Sequence, residues 1–126
     1  MEKQIINTSN APAPIGPYNQ AIKAGNTLYI SGQIPLDPAT GEIVKSGITD
    51  ETHMSMKNLQ AVLTEAGMSF DNVVKTTIFL TNMSDFPKVN EVYGNYFTGN
   101  YPARETVQVA GLPKGVNVEI SVIATL

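Results

Sequence analysis

One arginine stands among the eight basic residues of this 126-residue chain, and it is Arg104, in Tyr101-Pro102-Ala103-Arg104. A guanidinium offers a rigid fork of donors that matches a carboxylate, whereas a lysine acts as a mobile point charge, so a two-pronged grip on an anion has a single candidate here. The acid that stands out is Glu119. It interrupts the apolar run Val116-Asn117-Val118-Glu119-Ile120-Ser121-Val122-Ile123-Ala124, in which Val118, Ile120 and Val122 define one strand face and Asn117, Glu119 and Ser121 the other. In the preceding run Val107 and Val109 define an apolar face, which puts Arg104, Thr106 and Gln108 opposite. If the valine faces of these two strands align in a hairpin, Arg104 and Glu119 share a side of the sheet. On that side a forked cation could grip an anion and a carboxyl group could take and return a proton. Each residue also fits a plain role: a solvated strand-end arginine, a solvent-facing strand glutamate, turn glycines at Gly16 and Gly32, and a half-buried strand start at Tyr18.

The inventory narrows the chemistry further. There is no cysteine, hence no thiolate nucleophile, disulfide framework or cysteine zinc site. His53, the one histidine, falls within a predicted helix with no second histidine to complete a metal site, and reads as a helix-surface residue. General acid and base work therefore falls to carboxylates, tyrosine or lysine. Gly-Asn-Tyr-Phe-Thr-Gly-Asn at 94–100 lacks the lysine and helix context of a phosphate loop. A net charge of −3 with scattered lysines argues against a protein built to hold nucleic acid. The segment 1–8 lacks the apolar core of a signal peptide and no run approaches membrane-spanning length, so the expectation is a cytoplasmic protein with no membrane partner.

The elements that must position these residues are readable from period and punctuation, and they fill one domain spanning 1–126. Residues 3–7 are β-capable, and three prolines make 9–17 an extended loop. The runs 18–24 and 27–31 flank Gly25-Asn26, a hairpin signal, and a short strand is expected at 42–44 after a turn-rich stretch. From Thr49 the period is helical, with Thr52, Met56, Leu59, Leu63 and Ala66 on one stripe and Gly67 as the C-terminal stop. Residues 73–80 read as a strand with Val74, Ile78 and Leu80 facing one way and Val73 and Phe79 the other. Ser84 or Asp85 can cap a second helix that buries Phe86, Val89, Tyr93 and Tyr96, with Asn90 near the edge of that stripe. Strands at 105–110 and 116–124 follow. The result is an α+β fold, a mixed sheet with two helices on one face, whose other face also carries apolar residues and calls for cover by another subunit.

Ala11-Pro12-Ala13-Pro14-Ile15-Gly16-Pro17-Tyr18, Ser31-Gly32-Gln33-Ile34-Pro35-Leu36-Asp37-Pro38, Val89-Asn90-Glu91-Val92-Tyr93, Pro102-Ala103-Arg104, and Leu112-Pro113-Lys114 with Val118-Glu119-Ile120 resemble, over essentially the whole chain, the RidA (YjgF-like) reactive-intermediate deaminase family. The resemblance implies a subunit similar to Bacillus-type chorismate mutase, assembled as a homotrimer with clefts between subunits. It implies hydrolysis of 2-imino acids, or their enamine tautomers, such as 2-iminobutanoate and 2-iminopropanoate, to 2-keto acids and ammonia without a cofactor. Such imines leak from pyridoxal-phosphate dehydratases acting on serine or threonine, the implied functional link. Arg104 matches the arginine that holds the substrate carboxylate, Glu119 the glutamate thought to activate water, and Tyr18, Ser31, Gly32 and Asn90 cleft-lining positions; the expected catalytic residues are Glu119, Arg104 and Tyr18, with Ser31, Gly32, Asn90 and Thr106 binding substrate beside them. Glu105 and Thr106 depart from a common Ser-Cys pair, Ser121 from a second glutamate, and Gly111 from a frequent arginine. Thr106 keeps the backbone groups that the cysteine position is thought to contribute. Two other functions compete: a sensor that binds small keto acids in the same cleft without turnover, and a ribonuclease or translation inhibitor, which the acidic charge disfavours. A chaperone role finds no disordered or Met-rich tract.

Overall fold

The computed structural model describes residues 2–126; Met1 lies outside them. Eight main elements follow in order: β1 (Lys3–Ile6), β2 (Ala21–Ala24), β3 (Thr27–Gln33), α1 (Ile48–Glu65), β4 (Val73–Leu80), α2 (Phe86–Gly94), β5 (Ala103–Gln108) and β6 (Val118–Thr125). They form one six-stranded sheet in the order β1-β2-β3-β6-β4-β5. All neighbours are antiparallel except β4 and β5, which run parallel because α2 crosses over between them.

Local chemistry explains the connections. Gly25, at φ +60, opens the two-residue β2–β3 turn while Asn26 keeps a negative φ, so the glycine carries the conformation that a side chain would resist. α1 ends as its sequence predicts: Gly67 takes φ +74, its N–H donates to the Thr64 carbonyl at 3.0 Å, and Met68 N–H donates to Leu63 O at 2.8 Å. The proline-rich loop 9–17 is fastened by one buried side chain. Gln20 donates to the carbonyls of Thr8, Ala11 and Pro12 and accepts from Thr8 N–H, which satisfies backbone that has no ladder to join.

The core lies between the helices and one sheet face, where Leu28, Met56, Leu59, Leu63, Ile78, Leu80, Val118 and Ile120 are fully buried. The other face is open and carries apolar side chains, with Tyr29 50% and Val107 41% exposed. Charged groups also occupy it: Lys75 pairs with Glu105 at 2.8 Å, and Thr77 donates to the same carboxylate. Glu105 is held below the usual carboxylate range, first by the hydrogen bond from Lys75 and then by that from Thr77.

Several expectations change. The last two strands are not a hairpin, because β4 lies between them, paired with both. Val73 faces the helices and Val74 is exposed, the reverse of strict alternation, since the β4–β6 register slips by one residue between Val73 and Lys75 and the extra residue turns outward. Residues 42–44 form only a single bridge, Leu36 to Ile43, within the turn-rich loop. Tyr18 precedes β2 rather than lying in it. Neither Ser84 nor Asp85 caps α2 with its side chain; Asn82 instead accepts from Ser84 N–H and caps the 3-10 turn that leads into the helix. His53 is half-buried, its Nδ1 3.0 Å from the Tyr96 hydroxyl, because Tyr96 folds back over α1 just after α2 ends.

Candidate active site

In paired strands, residues directly opposite one another project to the same face. Arg104 stands opposite Thr76, and Thr76 opposite Val122, so Arg104 belongs to the helix-covered side. Glu119 stands opposite Phe79, and Phe79 opposite Val107, so Glu119 belongs to the open side. The expectation that Arg104 and Glu119 share a side is therefore wrong for one chain. With β4 inserted between their strands, the aligned valines no longer determine the faces.

Each residue instead anchors its own half-site. Arg104 is held against α2: Nη1 donates to Asn90 Oδ1 at 2.6 Å, and the guanidinium carbon sits 5.1 Å from the Tyr93 ring centre and 5.4 Å from that of Phe86. Phe86, Asn90 and Tyr93 follow at steps of four and three, one face of a helical turn, so α2 presents a polar contact between two aromatic faces. Tyr93 is itself fixed by donating to Thr76 Oγ1 at 3.0 Å. Burial pushes its phenol above its ordinary pKa, only partly offset by that hydrogen bond and the nearby guanidinium. A cleft of about 440 Å³ opens here, lined by Asn90, Tyr93, Gly94, Tyr101, Pro102 and Arg104. Two residues along β5 on the same side, the Thr106 hydroxyl is buried with no hydrogen-bond partner.

The second half-site is built by a bulge. Ile30 pairs with Val122 and Gln33 with Ile120, so Ser31 and Gly32 together stand opposite the one residue Ser121. The bulge brings the Gly32 backbone onto the Glu119 side chain: a Cβ at residue 32 would lie 2.7 Å from Glu119 Cδ. Burial raises the Glu119 carboxyl above its ordinary pKa. The Ser31 hydroxyl is committed to Asn19 O at 2.7 Å, so it braces the bulge. Tyr18 is 47% exposed and lines, with Ile34, a small cavity that also includes Gly32, the residue packed against Glu119.

Of the residues expected at the site, Arg104 and Asn90 are brought together, with Thr106 following on the same strand face, and Glu119, Gly32, Ser31 and Tyr18 gather on the other side. The roles of Phe86 and Tyr93 around Arg104 escaped the sequence, although their spacing from Asn90 carries the signal. Among the described residues, no group of three or more His, Cys, Asp or Glu side chains is placed to hold a metal, and no helix is long and apolar enough to cross a membrane.

An α+β fold with one open sheet face and two half-sites on opposite sides defines the class of protein. The family model described as Endoribonuclease L-PSP matches residues 8–126. The chain is 51% identical over 122 residues to the 2-iminobutanoate/2-iminopropanoate deaminase of Mus musculus, covering 97% of this chain and 90% of that protein. A crystal structure of a Rid-family protein of unknown function from Yersinia pestis superposes with a TM-score of 0.97 at 51% identity, covering 99% of this chain and 100% of that one. E. coli TdcF, solved with bound serine, gives a TM-score of 0.94 at 43% identity, with 98% of each chain covered. The chain belongs to the RidA (YjgF-like) family.

Proposed function

We propose that this protein is a cofactor-independent deaminase that hydrolyses 2-imino acids and their enamine tautomers, 2-iminobutanoate and 2-iminopropanoate among them, to 2-keto acids and ammonia. The observation that carries the reading is the division of Arg104 and Glu119 between opposite faces, each already prepared for its task. Copies of the chain packed through the open sheet face, with its exposed Tyr29 and Val107, bring the Arg104 cleft of one to the Glu119 half-site of the next. A homotrimer with three equivalent clefts satisfies every copy.

The guanidinium fork, held by Asn90, takes the substrate carboxylate and fixes the adjacent C=N carbon. Glu119 takes a proton from water as the water oxygen bonds to the carbon of the protonated imine, whose C=N π pair moves to nitrogen to form a neutral carbinolamine. The same carboxyl then gives the proton to nitrogen, the C–N bond breaks, ammonia leaves, and loss of the hydroxyl proton yields the ketone. A carboxyl made more basic by burial suits both halves of this cycle. Backbone groups at Gly32 and Thr106 line the path of the reacting atoms, and Tyr18 closes the cleft. Pyridoxal-phosphate dehydratases acting on serine or threonine supply the substrates, which places the protein in the cytoplasm beside them.

The test is ammonia or keto-acid release from 2-iminobutanoate generated in situ by a threonine dehydratase, measured against the spontaneous background. Acceleration is expected. Tight 2-ketobutyrate binding with no acceleration would replace the deaminase by a keto-acid sensor, and hydrolysis of RNA with no imine turnover would replace both.

A further inference from the structure

We infer that Lys114 is a specificity-determining residue that extends the substrate range to 2-imino acids whose side chain ends in an oxygen acceptor, a carboxylate above all; the inference rests on the deaminase reading above. The C=N carbon carries a nitrogen, a carboxylate and a side chain. With the carboxylate on Arg104 and the nitrogen and water at Glu119, the side chain enters the cavity behind Gly32, which has about 80 Å³ of free volume. That is room for roughly two or three chain atoms.

Four polar side chains line this cavity: Tyr18, Gln20, Gln33 and Lys114. Three are committed to the backbone. Gln20 holds the 8–12 loop, Gln33 donates to Ser31 O at 3.1 Å, and the Tyr18 hydroxyl accepts from Ile15 N–H at 3.4 Å. Among the described residues, Lys114 has no ion pair and no side-chain hydrogen bond, and it is the one charged residue lining the cavity.

The backbone points to the same residue. Lys114 is the only non-glycine described at positive φ, with φ 59 and ψ 18, a conformation that glycine or asparagine takes more readily. Its loop is pinned from the far end by Asn117, whose amide donates to both Glu51 carboxylate oxygens at 3.1 and 3.3 Å and accepts from the Thr81 hydroxyl at 3.2 Å. A lysine whose backbone strains the turn, lining a cavity with no other charged group, is placed for a ligand.

The experiment compares 2-iminoglutarate, generated by a glutamate oxidase, with 2-iminobutanoate, for the wild type and Lys114→Met, Lys114→Arg and Lys114→Asn. In parallel it measures binding of 2-oxoglutarate and 2-oxobutyrate, which needs no turnover. The ratio of kcat/KM for 2-iminoglutarate to that for 2-iminobutanoate is expected to fall about tenfold to a hundredfold in the Met and Asn variants. It should be largely kept in the Arg variant, and the Asn variant should also melt a few degrees higher as the turn relaxes. Unchanged ratios in Lys114→Met would overturn the assignment while leaving the deaminase reading standing. A wild type inert on both imines would end that reading instead; the keto-acid binding ratios then decide Lys114, and equal loss or no loss of the two ligands in Lys114→Met would refute it.

Discussion

Gly32→Ala isolates the contact on which Glu119 depends. The backbone at Gly32 has no positive φ, so alanine is not strained there by conformation, and the effect of the substitution is steric. The added Cβ would lie 2.7 Å from Glu119 Cδ, 2.8 Å from Oε1 and 2.9 Å from Cγ, well inside contact distance. Relief comes most easily by moving the carboxyl group, by roughly 1 Å, since carbon atoms settle near 3.5–4.0 Å. The fold should survive at a cost of about 1–2 kcal/mol, the range for modest overpacking. Catalysis should not, because a displacement of about 1 Å in a reacting group can lower turnover by about 10²-fold. The assay pairs kcat for imine hydrolysis with 2-ketobutyrate affinity and thermal melting. Gly111→Ala is the control, with nothing within 4 Å of the added methyl and no positive φ. Loss of kcat in Gly32→Ala with the melting temperature and ketobutyrate affinity largely kept is the expected pattern. Near wild-type kcat would show that the Glu119 position is not what Gly32 protects, and the bulge would lose its catalytic role.

Arg104→Lys keeps the charge and loses the fork, so 2-ketobutyrate binding, read by calorimetry, should weaken by about 1.5–3 kcal/mol. Glu119→Gln keeps the shape but cannot take a proton; product binding should be spared while turnover falls roughly 10²–10⁴-fold in single-turnover kinetics. The pH–rate profile should fall on the acid side, because Glu119 must be ionised to act as the base; a rate with no acid limb would contradict a carboxylate base. Imine hydrolysis should be unaffected by metal chelators, and loss restored by zinc would refute the carboxylate mechanism.

Periodicity made the helices legible. Met56, Leu59 and Leu63 are spaced as one buried stripe, and Gly67 marks a stop that the backbone then makes. The site was legible as residue types and not as geometry. Alternation within a strand tells which neighbours share a face, but it does not say which strand lies beside which. The insertion of β4 between β5 and β6 is a long-range pairing, and it moves Arg104 and Glu119 to opposite faces. Bulges defeat alternation for a similar reason: nothing in Val73-Val74 announces the extra residue that β6 leaves unmatched, and Gly32, a residue type that can mark a bulge, reads equally well as the turn glycine ending a strand at 31. Periodicity shows Asn90 only as a polar residue near an apolar stripe and the family resemblance as a cleft position; its hold on Arg104 emerges once the guanidinium is placed beside Phe86 and Tyr93.

Subunit mixing tests the central claim most directly. Arg104→Lys and Glu119→Gln proteins, each of low activity alone, are unfolded together in equal amounts, refolded, and assayed for 2-iminobutanoate hydrolysis. If Arg104 of one copy works with Glu119 of its neighbour in a cyclic trimer, every mixed trimer holds one site with both native residues, and activity should return to about a quarter of the wild-type value. A mixture no more active than the two variants assayed separately would mean that no site is shared between copies.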